Sequence, residues 1–393
     1  MQKKLIALAV AGLASSAAFA QSNVTVYGVV DVTFENVKAD DAAKTPANNA
    51  AAINIPSRNR VTSNSSYIGF KGEEALGNGL KAKFLFESGF TADNGGALSG
   101  GRDSYVALGS NFGEVRLGQY NTAVRTLGST IDFAPGYTGI GAISNVIGTL
   151  GGVKTGSDDR ISNAVGYFSP NWSGFQVSAI YGANENKTDG SADGTVTSKN
   201  NNRYDLGASY TNGGLYVGAA YGESKDNITA ANANTVTGNT YGTNGLNSKL
   251  KNTRIGAKYT FAATGTSISA LWDQQKAELN QFNNAAISGD VKRDAWEIGV
   301  KQDFGAHSIY GTFAKANDLK FNGNKADNTG VKSYTLGYLY NFSKRTSLKA
   351  YYTALKNDAN IGTDFYNNPV SGGTPGAVGA DPKGYGVGLR HSF

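Results

Sequence analysis

The chain has 393 residues, no cysteine, 52 Gly, 21 Tyr, 18 Phe and a formal net charge of +6. Lack of cysteine excludes a disulfide framework, and a charge this small, without a dense basic block, excludes a nucleic-acid-binding surface. The only histidines are His307 and His391, far apart in sequence, so a zinc site would rest on carboxylates, and no metal or cofactor is expected.

The first element is MQKKLIALAVAGLASSAAFA, residues 1–20: two lysines, an apolar run from Leu5 to Leu13 and a small-residue site at Ala18-Phe19-Ala20. That is the pattern of a cleaved secretory signal, and the run is too short to span a bilayer. The expected mature chain, 21–393, is one domain. Without Lys3 and Lys4 it has 34 basic side chains against 30 acidic ones, a net charge of +4.

From there the sequence alternates with a period of two. In residues 24–35, Val26, Gly28, Val30, Val32 and Phe34 share one parity, and Tyr27, Asp31, Thr33 and Glu35 share the other. The pattern predicts strand cores at 23–36, 61–72, 80–91, 103–110, 113–119, 161–170, 174–184, 202–211, 214–224, 252–262, 266–277, 291–303, 306–318, 331–342, 346–357 and 383–393. Short connections such as GEEALGNG (72–79) and TNGG (211–214) alternate with long polar stretches near 37–60, 120–160, 184–201, 225–251 and 358–382.

A soluble sandwich with one dry face also alternates. Here, however, one parity holds small residues and isolated charges, and the other often ends in Tyr or Phe. Long loops on one rim, short turns on the other and about sixteen strands predict an all-β fold, an antiparallel transmembrane barrel with lipid outside and water inside. In the last strand Tyr385, Val387, Leu389, His391 and Phe393 share the lipid-facing parity, and Gly386, Gly388, Arg390 and Ser392 face inward. This strand must close against the first, since an open edge is not tolerated in lipid.

The segments VTVYGVVDVTF (24–34), SYIGFKGEEALGNGLKAKFLFESGF (66–90), RDSYVALGSNFGEVRLGQY (102–120), RISNAVGYFSP (160–170), YTLGYLYNFSKRTSLKAYY (334–352) and GVGLRHSF (386–393) together resemble general Gram-negative porins of the β-proteobacterial and neisserial type. The resemblance covers essentially all of the mature chain. It implies a homotrimer in the outer membrane, surrounded by lipid, passing small hydrophilic solutes and ions by passive diffusion, with the third long loop folded into the pore. It also implies that Phe393 is the signal read by the barrel-insertion machinery.

Loop three is expected at 120–160. Its Ile131, Phe133, Ile140, Ile143, Val146 and Ile147 argue for packing inside the barrel, and a loop of this length is usually functional. Related porins oppose acids on this loop to a basic wall. Here Asp132 is the single acid of its first part, Asp158 and Asp159 stand at its far end, and it also carries Arg125. The expected basic wall is Arg58, Arg60, Lys83, Arg102, Arg116 and Arg160, with Asp31 and Glu87 as further acids and Glu35 nearby. The resemblance carries Arg102 and Arg160, although Arg102 shares parity with Val106 and Leu108. Gln119 stands where the family often has Arg. Clustered bases in a narrow channel favour anions, so a weak anion preference is expected.

Other functions find little support. Ser248 and Lys251 form an S-x-x-K in a polar stretch with no second motif, so no enzyme activity is expected. Trp272 and Trp296 take the lipid parity, with Tyr216 and Tyr351 inward, which disfavours an aromatic sugar slide. A channel preferring organic anions, or an adhesin-like surface barrel, is the remaining alternative.

Overall fold

The computed structural model describes residues 23–42, 54–151, 153–154, 156–183, 202–225, 249–279, 289–366, 368–370 and 377–393. The expected leader, 1–20, and Ser248 lie outside the described residues. The strands in chain order are β1 (Asn23–Asp40), β2 (Ile55–Ser63), β3 (Tyr67–Gly77), β4 (Leu80–Gly89), β5 (Ser104–Ser110), β6 (Gly113–Asn121), β7 (Thr149–Leu150), β8 (Val153–Lys154), β9 (Arg160–Phe168), β10 (Phe175–Gly182) and β11 (Arg203–Asn212). There follow β12 (Leu215–Lys225), β13 (Lys249–Phe261), β14 (Thr266–Leu279), β15 (Gly289–Phe304), β16 (His307–Ala316), β17 (Lys320–Phe321), β18 (Asn324–Lys325), β19 (Val331–Asn341), β20 (Thr346–Asn357) and β21 (Asp381–Ser392).

β1 pairs with β3 through its first half and with β2 through its second, so β2 and β3 are two halves of one stave. The stave breaks at Asn64–Ser66, and side chains fill the gap. The buried Asn64 donates to Asp31 Oδ1 at 3.2 Å and Thr33 Oγ1 at 2.8 Å, and Ser66 Oγ accepts from the Asp31 N–H at 3.0 Å. With that stave counted once and the hairpins β7–β8 and β17–β18 set aside, the described residues form a closed antiparallel barrel of sixteen staves.

The barrel closes where β1 meets β21, in register from Val29↔Ser392 to Asp40↔Asp381. Just below, Gly28 and Phe393 exchange backbone hydrogen bonds of 3.2 and 3.1 Å. A Cβ on Gly28 would lie 2.6 Å from Phe393 Cζ, so the terminal ring fits only because residue 28 has no side chain. Among the described residues the seam from Gly28 to Asp40 leaves no backbone edge for lipid to face.

Alternation decides which atoms meet which solvent. Val26, Phe34, Phe86, Leu206, Leu336 and Leu389 point outward and are exposed, whereas Asp31, Thr33, Glu35, Asp205, Asp273 and Glu297 point inward and are buried by contents of the lumen. An outward apolar belt of this kind is stable in hydrocarbon, not in water. Trp272 shows the lipid parity, and Tyr351 faces inward, its hydroxyl donating to Glu35 Oε1 at 2.5 Å.

Expected and observed strands differ mainly at their ends. The second stave reaches from residue 55 to 77, with its break near the middle, and not only over 61–72. The segment 266–277, short of a strong pattern, belongs to a full-length strand because both neighbours pair with it throughout. Besides the short hairpins β7–β8 and β17–β18, one longer element was not expected from the sequence: a helix, α1 (Ala123–Ile131), at the start of loop three.

Candidate functional site: the opening beside loop three

Loop three is built on α1. Thr122 caps it: its Oγ1 accepts from the Arg125 N–H at 3.1 Å. Asp205 of β11 accepts from the Ala123 N–H at 2.5 Å and places a carboxylate at the helix N-terminus. Val124, Leu127 and Ile131 form the buried face. Beneath it lies a track of glycines on three neighbouring strands. A Cβ on Gly207 would meet Ala123 Cβ at 2.5 Å, one on Gly218 would meet Leu127 Cδ1 at 2.8 Å, and one on Gly256 would meet Ile131 Cγ1 at 3.0 Å. The helix lies flat on the wall because these three positions lack side chains.

A buried charge network completes the attachment. Arg254 of β13, fully buried, pairs with Asp273 through Nε at 2.7 Å and with Asp158 through Nη2 at 3.2 Å. Its Nη1 donates to the Val124 carbonyl at 2.9 Å, and the Tyr137 hydroxyl donates to Asp158 Oδ2 at 2.7 Å. Both ends of loop three are thus tied to one guanidinium. Further along, Tyr137, Ile140, Ile143, Val146 and Ile147 are buried, and Asn145 holds the chain turn by donating to the carbonyls of Ile140 and Ala142, each at 2.9 Å.

The loop leaves an opening on the other side. It is bordered by Arg125, Ser129, Gly136, Tyr137 and Thr138 of loop three, and by Asn64, Ser65, Tyr67, Arg102, Asn121, Arg160 and Arg390 of the wall. Each wall arginine is held from behind. Arg102 Nε pairs with Glu87 at 2.9 Å, with its guanidinium 4.0 Å from the Tyr67 ring centre. Arg160 Nε pairs with Asp103 at 2.5 Å, and Arg390 Nη1 pairs with Asp31 at 3.0 Å. Arg125, on the loop, lies 5.5 Å from the Tyr137 ring centre. Burial, and then the nearby Arg160 charge, hold the Arg102 guanidinium below its ordinary pKa. Four cations therefore converge on one opening. Asp31 is further neutralised by Lys349, so the carboxylates behind the wall leave positive charge uncancelled.

The expected basic wall divides in three. Arg102 and Arg160 border the opening; Arg102 turns inward because it precedes β5, where strand parity does not yet apply. Arg58 and Arg60 lie elsewhere. Arg60 pairs with Glu35 at 2.9 Å and donates to the Pro369 and Asn368 carbonyls at 2.9 and 2.7 Å, and Arg58 donates to the Val370 carbonyl. They fasten the loop after β20. Lys83 and Arg116 share Glu114, at 2.8 and 2.5 Å, beside the short turn that joins β5 to β6. Arg116 also stacks 4.0 Å over Phe168.

The acids move too. Asp132 does not face the opening. It is buried, with Oδ1 accepting from the Ala134 N–H at 3.0 Å and Oδ2 from the Ile143 N–H at 3.1 Å, so it braces a turn of the loop. Burial pushes its carboxyl up to about 7, against the pull of those backbone donors and of Lys258. Asp31 and Glu87 act as the supports of Arg390 and Arg102. Arg390 and Arg125 join the site from outside the expected set; the inward parity of Arg390 in GVGLRHSF is the signal that points to it. Lys251 pairs with Glu278 at 2.8 Å, which gives the S-x-x-K lysine a structural partner.

The sequence profile described as Gram-negative porin matches residues 7–360. Outer membrane porin protein 32 of Delftia acidovorans is 31% identical over 400 residues, covering 100% of both chains. Major outer membrane protein P.IB of Neisseria gonorrhoeae is 28% identical over 368 residues, covering 88% of this chain and 91% of that one. Among solved structures, the anion-selective porin from Comamonas acidovorans superposes with a TM-score of 0.73 at 27% identity, over 95% of this chain and 100% of that one. The Vibrio cholerae outer-membrane protein OmpT, at 16% identity and a TM-score of 0.63 over 95% of this chain and 98% of that one, shares the fold.

Proposed function

The chain belongs to the Gram-negative porin family, an outer-membrane diffusion channel for small hydrophilic solutes and ions, and from that premise we propose that it is weakly anion-preferring and that Arg102, Arg125, Arg160 and Arg390 set the preference. The single observation that carries this reading is the convergence of these four guanidiniums on the opening that loop three leaves. At an effective dielectric near 20, a unit charge about 8 Å from another interacts by roughly 2 kcal/mol. The field is therefore strong enough to bias permeation severalfold at low salt and weakens as salt screens it.

The resemblance of the solved anion-selective porin supports the sign. Lys83 and Arg116 shape the field at the short-turn rim, and Arg58 and Arg60 act on the pore through the loop they hold. The protein assembles as a homotrimer, with Phe393 at the closing seam serving the insertion machinery; unboiled samples should migrate at high apparent mass in SDS and collapse on boiling. A monomer by light scattering in native detergent would contradict the assembly.

The test of function is reconstitution of the purified protein in a planar bilayer under a tenfold potassium chloride gradient. Stepwise conductance with a reversal potential on the chloride side is expected. A reversal potential on the potassium side would overturn the selectivity while leaving the channel standing.

A further inference from the structure

The outward face at the long-loop end of β15, β16, β19 and β20 carries an arrangement that stability does not explain. Lys315 lies directly opposite Lys332, and Lys332 opposite Lys356. Lys292 faces Lys320, and Lys320 faces Lys325. Like charges directly opposed across a strand pair are destabilising. Lys325 is answered by Asp318 at 2.9 Å and Lys356 by Asp381 at 2.6 Å. Among the described residues Lys292, Lys315, Lys320 and Lys332 have no ion-pair partner. Lys315, Lys320, Lys325 and Lys332 surround a depression of about 320 Å³ that Asp318 and Asp358 also line.

Trp296 completes the lysine row, opposite Lys315, and one rung nearer the membrane centre the chemistry changes: the Trp296 ring lies 5.2 Å from that of Phe313, which lies 5.0 Å from that of Tyr334. Below these rings is an apolar depression of about 440 Å³ lined by Ile298, Val300, Phe313, Leu336 and Tyr352 around Gly311. The hollow exists because Gly311 has no side chain; a Cβ there would have only the Thr335 carbonyl oxygen near it, at 3.9 Å.

We propose that this face is a binding site for one outer-leaflet lipid with a phosphorylated headgroup, its phosphates on the unpaired lysines and an acyl chain in the hollow at Gly311. Charge complementarity and the continuity of headgroup site, aromatic rings and apolar hollow along one line of the wall commit the site to a lipid. A free anion would use only the upper part, and a second copy of the chain would bring lysines to lysines. The long loops mark this end as external, where the outer leaflet lies. Basic clusters at the membrane surface contribute about fivefold in affinity per cation.

The test is native mass spectrometry of the full protein in detergent with added bisphosphorylated lipid A, its dephosphorylated form, or inorganic phosphate. The wild type should retain the bisphosphorylated lipid and lose most retention of the dephosphorylated one. A Lys315→Gln/Lys332→Gln variant should bind about thirtyfold more weakly. Gly311→Phe, which fills the hollow without touching a charge, should weaken binding while heat-modifiable mobility and conductance stay unchanged. Equal retention of both lipids, wild-type binding by both variants, or displacement of the lipid by millimolar phosphate would each overturn the proposal. Loss of the trimer in the lysine variant with lipid retention per chain unchanged would place a second copy on this face and overturn it as well.

Discussion

Two walls of the same lumen use arginine in opposite ways. Under loop three, Arg254 is fully buried, shared between Asp158 and Asp273, and holds the loop. Across the opening, Arg102, Arg160 and Arg390 each have one carboxylate behind them and partly exposed side chains in front. The difference is set by what lies above each side chain. A glycine track lets α1 descend onto β11, β12 and β13 and seal Arg254 from water. The wall that carries Arg102, Arg160 and Arg390 has no such cover, so its charges keep their field in the pore. The same side chain is an anchor in one place and a source of potential in the other.

Breaking the anchor should have the largest effect. Arg254→Met leaves Asp158 and Asp273 buried without their shared cation, and losing one partner of a buried pair costs about 3–5 kcal/mol. Thermal unfolding should begin at lower temperature, and single-channel records should become noisy as loop three moves. A quiet channel of unchanged conductance would show that the loop is held by apolar packing alone.

Overfilling the seat is the milder perturbation. Gly218→Leu places side-chain atoms where Leu127 Cδ1 now lies, 2.8 Å from the added Cβ, and overpacking of this kind costs about 1–3 kcal/mol. The helix should shift toward the opening and lower the single-channel conductance. The same change at Gly100, in an exposed loop with open space around it, should leave conductance as it was.

Asp132 sharpens the contrast further, since it is a charge of the loop hidden from the pore. Its folded value of about 7 lies above the ordinary 3.8. The folded loop therefore favours the protonated form, and this group's contribution to stability is most favourable below about pH 4 and declines as pH rises to 7. The thermal transition should fall by a few degrees between pH 5 and pH 8, and Asp132→Asn should flatten that slope. A slope unchanged in Asp132→Asn would contradict this assignment.

Most of the fold was legible because each stave meets lipid on one side and water on the other, which writes a period of two into residues such as Val26, Phe34, Leu336 and Leu389. The site was legible only in part. Parity says that Arg58, Arg60, Lys83 and Arg116 point inward, but not at what height they stand or whether a loop covers them. Arg60 is taken up by carbonyls more than three hundred residues away in sequence, and no local pattern carries that information. The helix α1 escaped notice because its apolar spacing spans only Val124, Leu127 and Ile131, too short to stand out in a long loop. The glycine track was equally silent, since each glycine reads locally as an ordinary strand residue.

The most direct test of the two-wall account is the reversal potential, in a tenfold potassium chloride gradient at low ionic strength, of Arg102→Gln/Arg160→Gln measured beside Lys83→Gln/Arg116→Gln. Both pairs remove two positive charges from the lumen. A clear shift toward cations is expected for the first pair, whose charges border the opening, and a much smaller shift for the second, whose charges share Glu114 at the rim. Equal shifts, or a larger shift for the rim pair, would contradict it.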